Sequence, residues 1–205
     1  MNDSQMALIK NRIEKLPYSS AFVVSDFTDI TEYENAKKCL LRLEKSNVIR
    51  RVIRGVYDKP YFSTLLNEYS APNIEEIAKA IARNYNWQIS PNGSTALNLL
   101  GLSTQVTNSY EYYSSGPYKS YEIGKITVKF SHKSSKEIIN LSYKSSLVVQ
   151  AIKSLGTNID NNSVEMIGNH LSDKEKITLI KETSGVTKWI YEIIKIICSK
   201  ETKNV

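Results

Sequence analysis

The stretch that decides the fold runs from Thr31 to Lys59 and reads TEYENAKKCLLRLEKSNVIRRVIRGVYDK. Thr31, with Glu34 three residues on, has the spacing of a capping box and predicts a helix start. The helix behind it carries Ala36, Leu40 and Leu43 on one face, with Cys39 beside them. At about 100° per residue, the opposite face presents Glu34, Lys38, Leu41 and Lys45, with Thr31 and Arg42 close by. Ser46-Asn47 ends that helix. Val48–Ile53 then reads as a strand, Arg54-Gly55 as a tight turn and Val56-Tyr57 as the returning strand, closed by Lys59-Pro60. Gly55 can take the positive φ that such a hairpin favours.

Upstream, Met6, Ile9, Ile13 and Leu16 recur at helical spacing over Gln5–Leu16, with Ser4 as a cap and Pro17 as a stop. Ala21-Phe22-Val23-Val24 is apolar and strand-prone, and Ser25-Asp26 reads as the cap of a short turn carrying Phe27 and Ile30. The predicted order is helix, short helix, helix, basic hairpin. That is the layout of a winged helix-turn-helix, in which the last helix enters the major groove and the hairpin flanks it on the phosphate backbone. On this reading Thr31, Asn35, Lys38 and Arg42 face the groove, and Lys37 and Lys45 reach phosphates. Arg50, Arg51, Arg54 and Lys59 hold the backbone from the wing. Two other readings stay open: a small helical domain with a structural hairpin, and a winged helix used for protein contacts.

Charge patterning supports the first reading. The 23 residues from Lys37 to Lys59 contain eight bases against Glu44 and Asp58, a net +6 that equals the formal charge of the whole chain. Residues 1–36 are net acidic, whereas 71–205 spread 16 bases and 12 acids over a much longer stretch. Concentrated positive charge suits a polyanion, because each neutralised phosphate releases counterions.

The chain has 205 residues, 41% hydrophobic and 23% charged, values of an ordinary globular protein rather than a disordered one. That length accommodates one ordinary domain or two small ones. No apolar run approaches the roughly 18 residues a membrane helix needs, and the first residues lack the basic start of a leader peptide. Cys39 and Cys198 lie far apart without CxxC spacing, which argues against a disulfide framework and a cysteine-only zinc site. A cytoplasmic protein without membrane contact is the expectation.

Tyr61 to Pro72 reads as a connector, and a second unit begins near Asn73. The boundaries expected are 1–70 for the DNA-binding unit and 71–205 for the rest. Ile74, Ile77, Ala78 and Ile81 predict an amphipathic helix with Glu75 and Glu76 in its dipole-favoured first turn. A turn over Ile89–Ser94 leads into a short helix stopped by Gly101. A tyrosine-rich β region follows, over Ser109–Ser114, Tyr118–Ile123 and Lys125–Phe130, with Gly116-Pro117 and Gly124-Lys125 as turns. Helices around Leu147–Leu155, Asp173–Glu182 and Lys188–Cys198 finish the chain. The fold class expected is α+β: an N-terminal winged helix-turn-helix plus a C-terminal mixed domain with an antiparallel sheet and helices.

Catalytic patterns are weak. His132 and His170 have no neighbouring Cys, Asp or Glu in a ligand arrangement, so no metal or cofactor is expected. Gly93-Ser94 opens like a nucleotidyltransferase site, yet Leu102–Tyr110 lacks the paired carboxylates that would hold its ions. No phosphate-binding loop is present. A metal-dependent nucleic-acid enzyme would have to be assembled from Glu111, Glu122 and Lys125 or Lys129, residues that equally suit the solvent side of a sheet. Tyr110, Tyr112, Tyr113, Tyr118 and Tyr121 fit base stacking or a protein interface, and as strand aromatics they also fit a core.

The N-terminal unit, with Leu16-Pro17, Phe22, Asp26-Phe27, Asn35, Leu40–Leu43, Val48-Ile49-Arg50-Arg51 and Arg54-Gly55-Val56-Tyr57, resembles the winged helix of AbiEi-like antitoxins. These belong to type IV toxin–antitoxin systems linked to phage abortive infection. Residues Ile77–Arg83, Pro91-Asn92-Gly93, Ala96–Gln105 and Ile123-Gly124 are similar to the larger domain of a related group, so the resemblance covers about residues 5 to 200. It implies a non-enzymatic bacterial repressor that binds inverted repeats in double-stranded DNA of its own promoter. It also implies that the second domain counters a cognate nucleotidyltransferase-type toxin, without requiring a stable complex. The helix departs from many such proteins in carrying Lys37-Lys38 where they carry Arg, and Lys lacks the rigid bidentate fork that reads guanine.

Overall fold

A computed structural model of the chain describes residues 3–133 and 141–199. Met1 and Asn2, on which part of the leader-peptide reading rests, lie outside the described residues. The protein is α+β and divides into two compact units, Met1–Trp87 and Gln88–Val205. Among the described residues, no helix is long and apolar enough to cross a membrane.

In the first unit, α1 (Asp3–Lys15) is followed by β1 (Ala21–Val23), a 3₁₀ turn (Val24–Phe27) and α2 (Tyr33–Lys45). Strands β2 (Arg50–Ile53) and β3 (Val56–Asp58) form the expected hairpin, and β3 also pairs with β1, giving a three-stranded antiparallel sheet in the order β1-β3-β2. Gly55, at φ +84, makes the turn. The apolar stripes foreseen from the sequence converge in one core: Ile9 and Ile13 of α1, Ala36, Cys39, Leu40 and Leu43 of α2, and Phe22, Phe27 and Tyr57 between them. Phe22 is central, edge-on to Phe27 at 5.6 Å and stacked on Tyr57 at 6.4 Å.

The helix ends where Asn47 takes a left-handed conformation at φ +56. The Asn47 and Val48 amides bond back to the Glu44 and Leu43 carbonyls, a Schellman closure that satisfies the last turn. The start differs from expectation. Glu32 occupies the cap position without a side-chain hydrogen bond, and Glu34 lies near Lys37 instead. Thr31 closes the preceding turn, its amide bonding to the Phe27 carbonyl, so the capping box does not form.

Tyr61–Pro72 is more than a connector. It folds into a second hairpin, β4 (Phe62–Ser63) with β5 (Glu68–Tyr69), whose Phe62 and Tyr69 rings meet edge to face. The next helix, α3 (Ile74–Asn84), belongs to the first compact unit rather than starting the second. Its buried Ile77, Ala78 and Ile81 supply an apolar face, and Arg83 reaches back to the Ala21 carbonyl at 2.9 Å and to the Asp26 carboxylate at 3.1 Å. That fastening moves the boundary from near 70 to 87.

In the second unit, β6 (Ile89–Pro91), α4 (Gly93–Leu99), β7 (Ser109–Ser114), β8 (Lys119–Ile123) and β9 (Ile126–His132) precede four helices: α5 (Tyr143–Leu155), α6 (Asn161–Asn169), α7 (Asp173–Glu182) and α8 (Lys188–Ser199). Each of the first three has a side-chain cap, from Ser142, Asp160 and Ser172. Helix α6, which the sequence reading passes over, is short, with Val164, Ile167 and Gly168 on its buried side.

The sheet runs β6-β7-β9-β8. Its outer pairs are antiparallel, as expected, but β7 and β9 are parallel, with Ser109 opposite Thr127 and Ser114 opposite His132. The chain leaves β7, lays β8 at the sheet edge, turns at Gly124 (φ +60) and returns into the slot between them. Parallel neighbours need a crossover, and the β8 hairpin supplies it. Gly93 is demanded by packing, because a Cβ there would stand 2.8 Å from the Ser154 Oγ.

Candidate nucleic-acid interface

Helix α2 sorts its residues as an amphipathic helix must. Ala36, Cys39, Leu40 and Leu43 are buried, Asn35 is half-buried, and Lys37, Lys38, Arg42 and Lys45 are exposed. Asn35, Lys38, Arg42 and Lys45 share one flank of the helix. Lys37 sits 3.5 Å from Glu34, an exposed pair of little energetic consequence. Lys38, Arg42 and Lys45 make no ion pair among the described residues. Burial pushes the Cys39 thiol up, which marks it as a core side chain rather than a reactive one.

The hairpin divides the predicted wing residues. Arg51 and Arg54 are exposed and unpaired among the described residues. Arg50 turns inward: its Nε donates to Asp58 Oδ1 at 3.0 Å, its Nη2 to Oδ2 at 2.5 Å and its Nη1 to the Ser70 carbonyl at 2.8 Å. Asp58 is fully buried. Lys59 is likewise committed, its Nζ donating to the Glu14 and Leu16 carbonyls, both at 2.7 Å, at the C-terminal end of α1. A cation there satisfies carbonyls the helix leaves open.

Three of the residues expected at the interface are thus engaged or covered within the protein. Thr31 is only 8% exposed, and Arg50 and Lys59, both half-buried, direct most of their donors to acceptors of the chain itself. The surface that remains is Asn35, Lys37, Lys38, Arg42 and Lys45 on α2, with Arg51 and Arg54 on the hairpin. An open groove of about 310 Å³ lies beside Arg51, lined also by Glu44, Asn47, Pro60 and Tyr69. Burial, and further Glu44, pushes the Tyr57 hydroxyl up, so it stays neutral.

Sequence reasoning passed over Asp58 and Ser70 as partners. A signal existed for Asp58: Arg50 and Asp58 stand equally far from Arg54 along the chain, the positions that a hairpin turning there brings opposite each other, as the register confirms. The Ser70 carbonyl offered none, because a backbone acceptor carries no sequence mark.

Of the residues from which a metal enzyme would be built, Glu111 and Lys129 meet across β7 and β9, and Glu122 stands one strand further on. Glu111 on β7 accepts from Asn92 at 3.0 Å and lies 3.8 Å from Lys129, while Glu122 on β8 accepts from Thr127, with β9 between the two strands. Among the described residues, no three His, Cys, Asp or Glu side chains are grouped to hold a metal ion. Of the tyrosines, Tyr112 is fully buried against Phe130, Tyr110, Tyr113 and Tyr121 are half-buried, and Tyr118 is exposed. Tyr112 is thus a core residue of its strand, Tyr110, Tyr113 and Tyr121 are half-buried strand residues, and Tyr118 lies in the bend before β8.

Fold and surface together define a two-unit α+β protein whose N-terminal unit displays a basic helix beside a basic hairpin. The chain belongs to a family of unknown function, DUF6088, whose model matches residues 8–180. No curated protein matches the chain.

Proposed function

We propose that the protein is a cytoplasmic, non-enzymatic DNA-binding antitoxin and transcriptional autorepressor of a type IV toxin–antitoxin operon, counteracting a nucleotidyltransferase-type toxin. The N-terminal unit acts as a winged helix-turn-helix, with α2 as recognition helix and the β2–β3 hairpin as wing. One observation carries the DNA reading: Lys38, Arg42, Lys45, Arg51 and Arg54 are exposed cations without an acidic partner among the described residues, gathered on two consecutive elements. Unneutralised cations at that density bind phosphate by counterion release. Asn35, with both a donor and an acceptor, is the base-reading candidate on the same flank. The antitoxin assignment rests on the resemblance over both units.

Fluorescence anisotropy with a duplex from directly upstream of the gene tests the DNA reading. Binding that weakens steeply with salt and exceeds that for an unrelated duplex supports it. A downstream reading frame with a Gly-Ser and paired-Asp transferase motif supports the antitoxin role, and its absence counts against it. The protein-contact reading draws on one observation, the exposed Phe62, Leu65, Leu66 and Tyr69 of the second hairpin. It gains if no salt-sensitive DNA binding occurs.

A further inference from the structure

We infer that Arg50 is a positioning residue of the wing, acting through a three-way clamp that joins the β2–β3 hairpin to the base of the β4–β5 hairpin. The inference rests on the DNA-binding reading above and deepens it.

A guanidinium has five N–H donors in a rigid planar fork. Arg50 uses one edge for both oxygens of Asp58, its cross-strand partner, and a further N–H for the Ser70 carbonyl. Ser70 is the neck of the second hairpin, where its amide bonds to the Tyr61 carbonyl at 2.7 Å and its hydroxyl accepts from the Tyr61 amide at 3.2 Å. A single side chain thus ties two hairpins together. Lysine keeps the charge but cannot hold three acceptors in this fixed plane. Asp58 is fully buried, whereas the Arg50 side chain it holds is 29% exposed and lines the groove beside Arg51.

This assigns opposite kinds of work to neighbouring residues. Arg51 and Arg54 supply cations to the phosphates, whereas Arg50 sets where those cations stand. The ladder at this point is irregular, with a register shift between Arg51 and Ile53, so strand pairing alone fixes the hairpin weakly. Asp58 then helps binding despite its negative charge.

The test compares the full chain with Arg50→Lys, Asp58→Asn and Arg51→Ala/Arg54→Ala, using the upstream duplex at several salt concentrations. Arg50→Lys keeps a cation opposite Asp58 and guards against misfolding, which circular dichroism checks for each variant. The expected result is that Arg50→Lys and Asp58→Asn each weaken binding by roughly five- to tenfold, as loosening of a supporting shell does. Both also shallow the salt slope by about one to two units, because the wing contacts are lost at about 0.9 per phosphate. Combining Arg50→Lys with the wing alanines adds little. Tighter or unchanged binding by Asp58→Asn overturns the inference, since a phosphate-contacting Arg50 would be released by that change. A parent-like salt slope in both clamp variants also overturns it, as a role in stability alone leaves the folded fraction's contacts intact. If the parent itself shows no salt-dependent binding, the DNA reading falls and takes this inference with it.

Discussion

Arg50 and Arg51 are adjacent, chemically identical and differently employed. The first is held by a buried carboxylate and a backbone carbonyl; the second stands in solvent. Their substitutions therefore separate cleanly. Arg50→Ala leaves Asp58 as an uncompensated buried charge and is expected to destabilise the protein by about 3 kcal/mol. Arg51→Ala is expected to stay within about 0.5 kcal/mol, as surface changes do. Urea unfolding of the two variants checks this, and equal stabilities would contradict it. At this scale the sequence was only half legible. Charge density marked the stretch that displays the exposed cations, and helical phase separated Lys38 and Lys45 from Leu40 and Leu43. Neither pattern tells which of eight bases meets an internal acceptor; hairpin symmetry points to Asp58, but the Ser70, Glu14 and Leu16 carbonyls become neighbours only through folding.

At the scale of elements, legibility followed the strength of local chemistry. Helices α1, α2, α3, α7 and α8 carry apolar residues at helical period, and the Asn47 and Gly55 stops are visible as residues that tolerate positive φ. The β4–β5 hairpin was hidden because its strands are two residues each, too short to show alternation. The parallel β7–β9 pair was hidden because pairing partners are not a local property.

Helix α7 offers a direct check of capping. Ser172 and Glu175 form a reciprocal box, the Ser172 amide donating to Glu175 at 2.8 Å. That bond, with the Ser172 hydroxyl, holds the Glu175 carboxyl below its ordinary value. A depressed carboxyl contributes stability above its unfolded pKa and loses it as pH falls through the folded one. Ser172→Ala should cost about 1 kcal/mol near neutral pH. The gap in thermal midpoint between the parent and Glu175→Gln should shrink below the ordinary carboxylate range. A gap independent of pH would contradict the assignment.

Across the whole molecule, the first compact unit extends to Trp87 because α3 packs on β1 and Arg83 fastens it to Ala21 and Asp26. A fragment of residues 1–87 should unfold cooperatively at a higher temperature than one of residues 1–72. Equal midpoints would show that α3 contributes nothing to that unit. The α+β class followed from the helical and strand periodicities along the chain. The position of the boundary did not, since Pro72-Asn73 reads as a break whichever side the next helix packs on.

The central claim is that the α2–hairpin surface is an electrostatic contact for DNA, and salt dependence reads it most directly. Arg51→Ala/Arg54→Ala in the full chain should weaken binding to the upstream duplex and to an unrelated duplex alike. The slope of log affinity against log salt should fall by about two units, near 0.9 for each lost phosphate contact. Binding with parent affinity and parent slope would contradict the account.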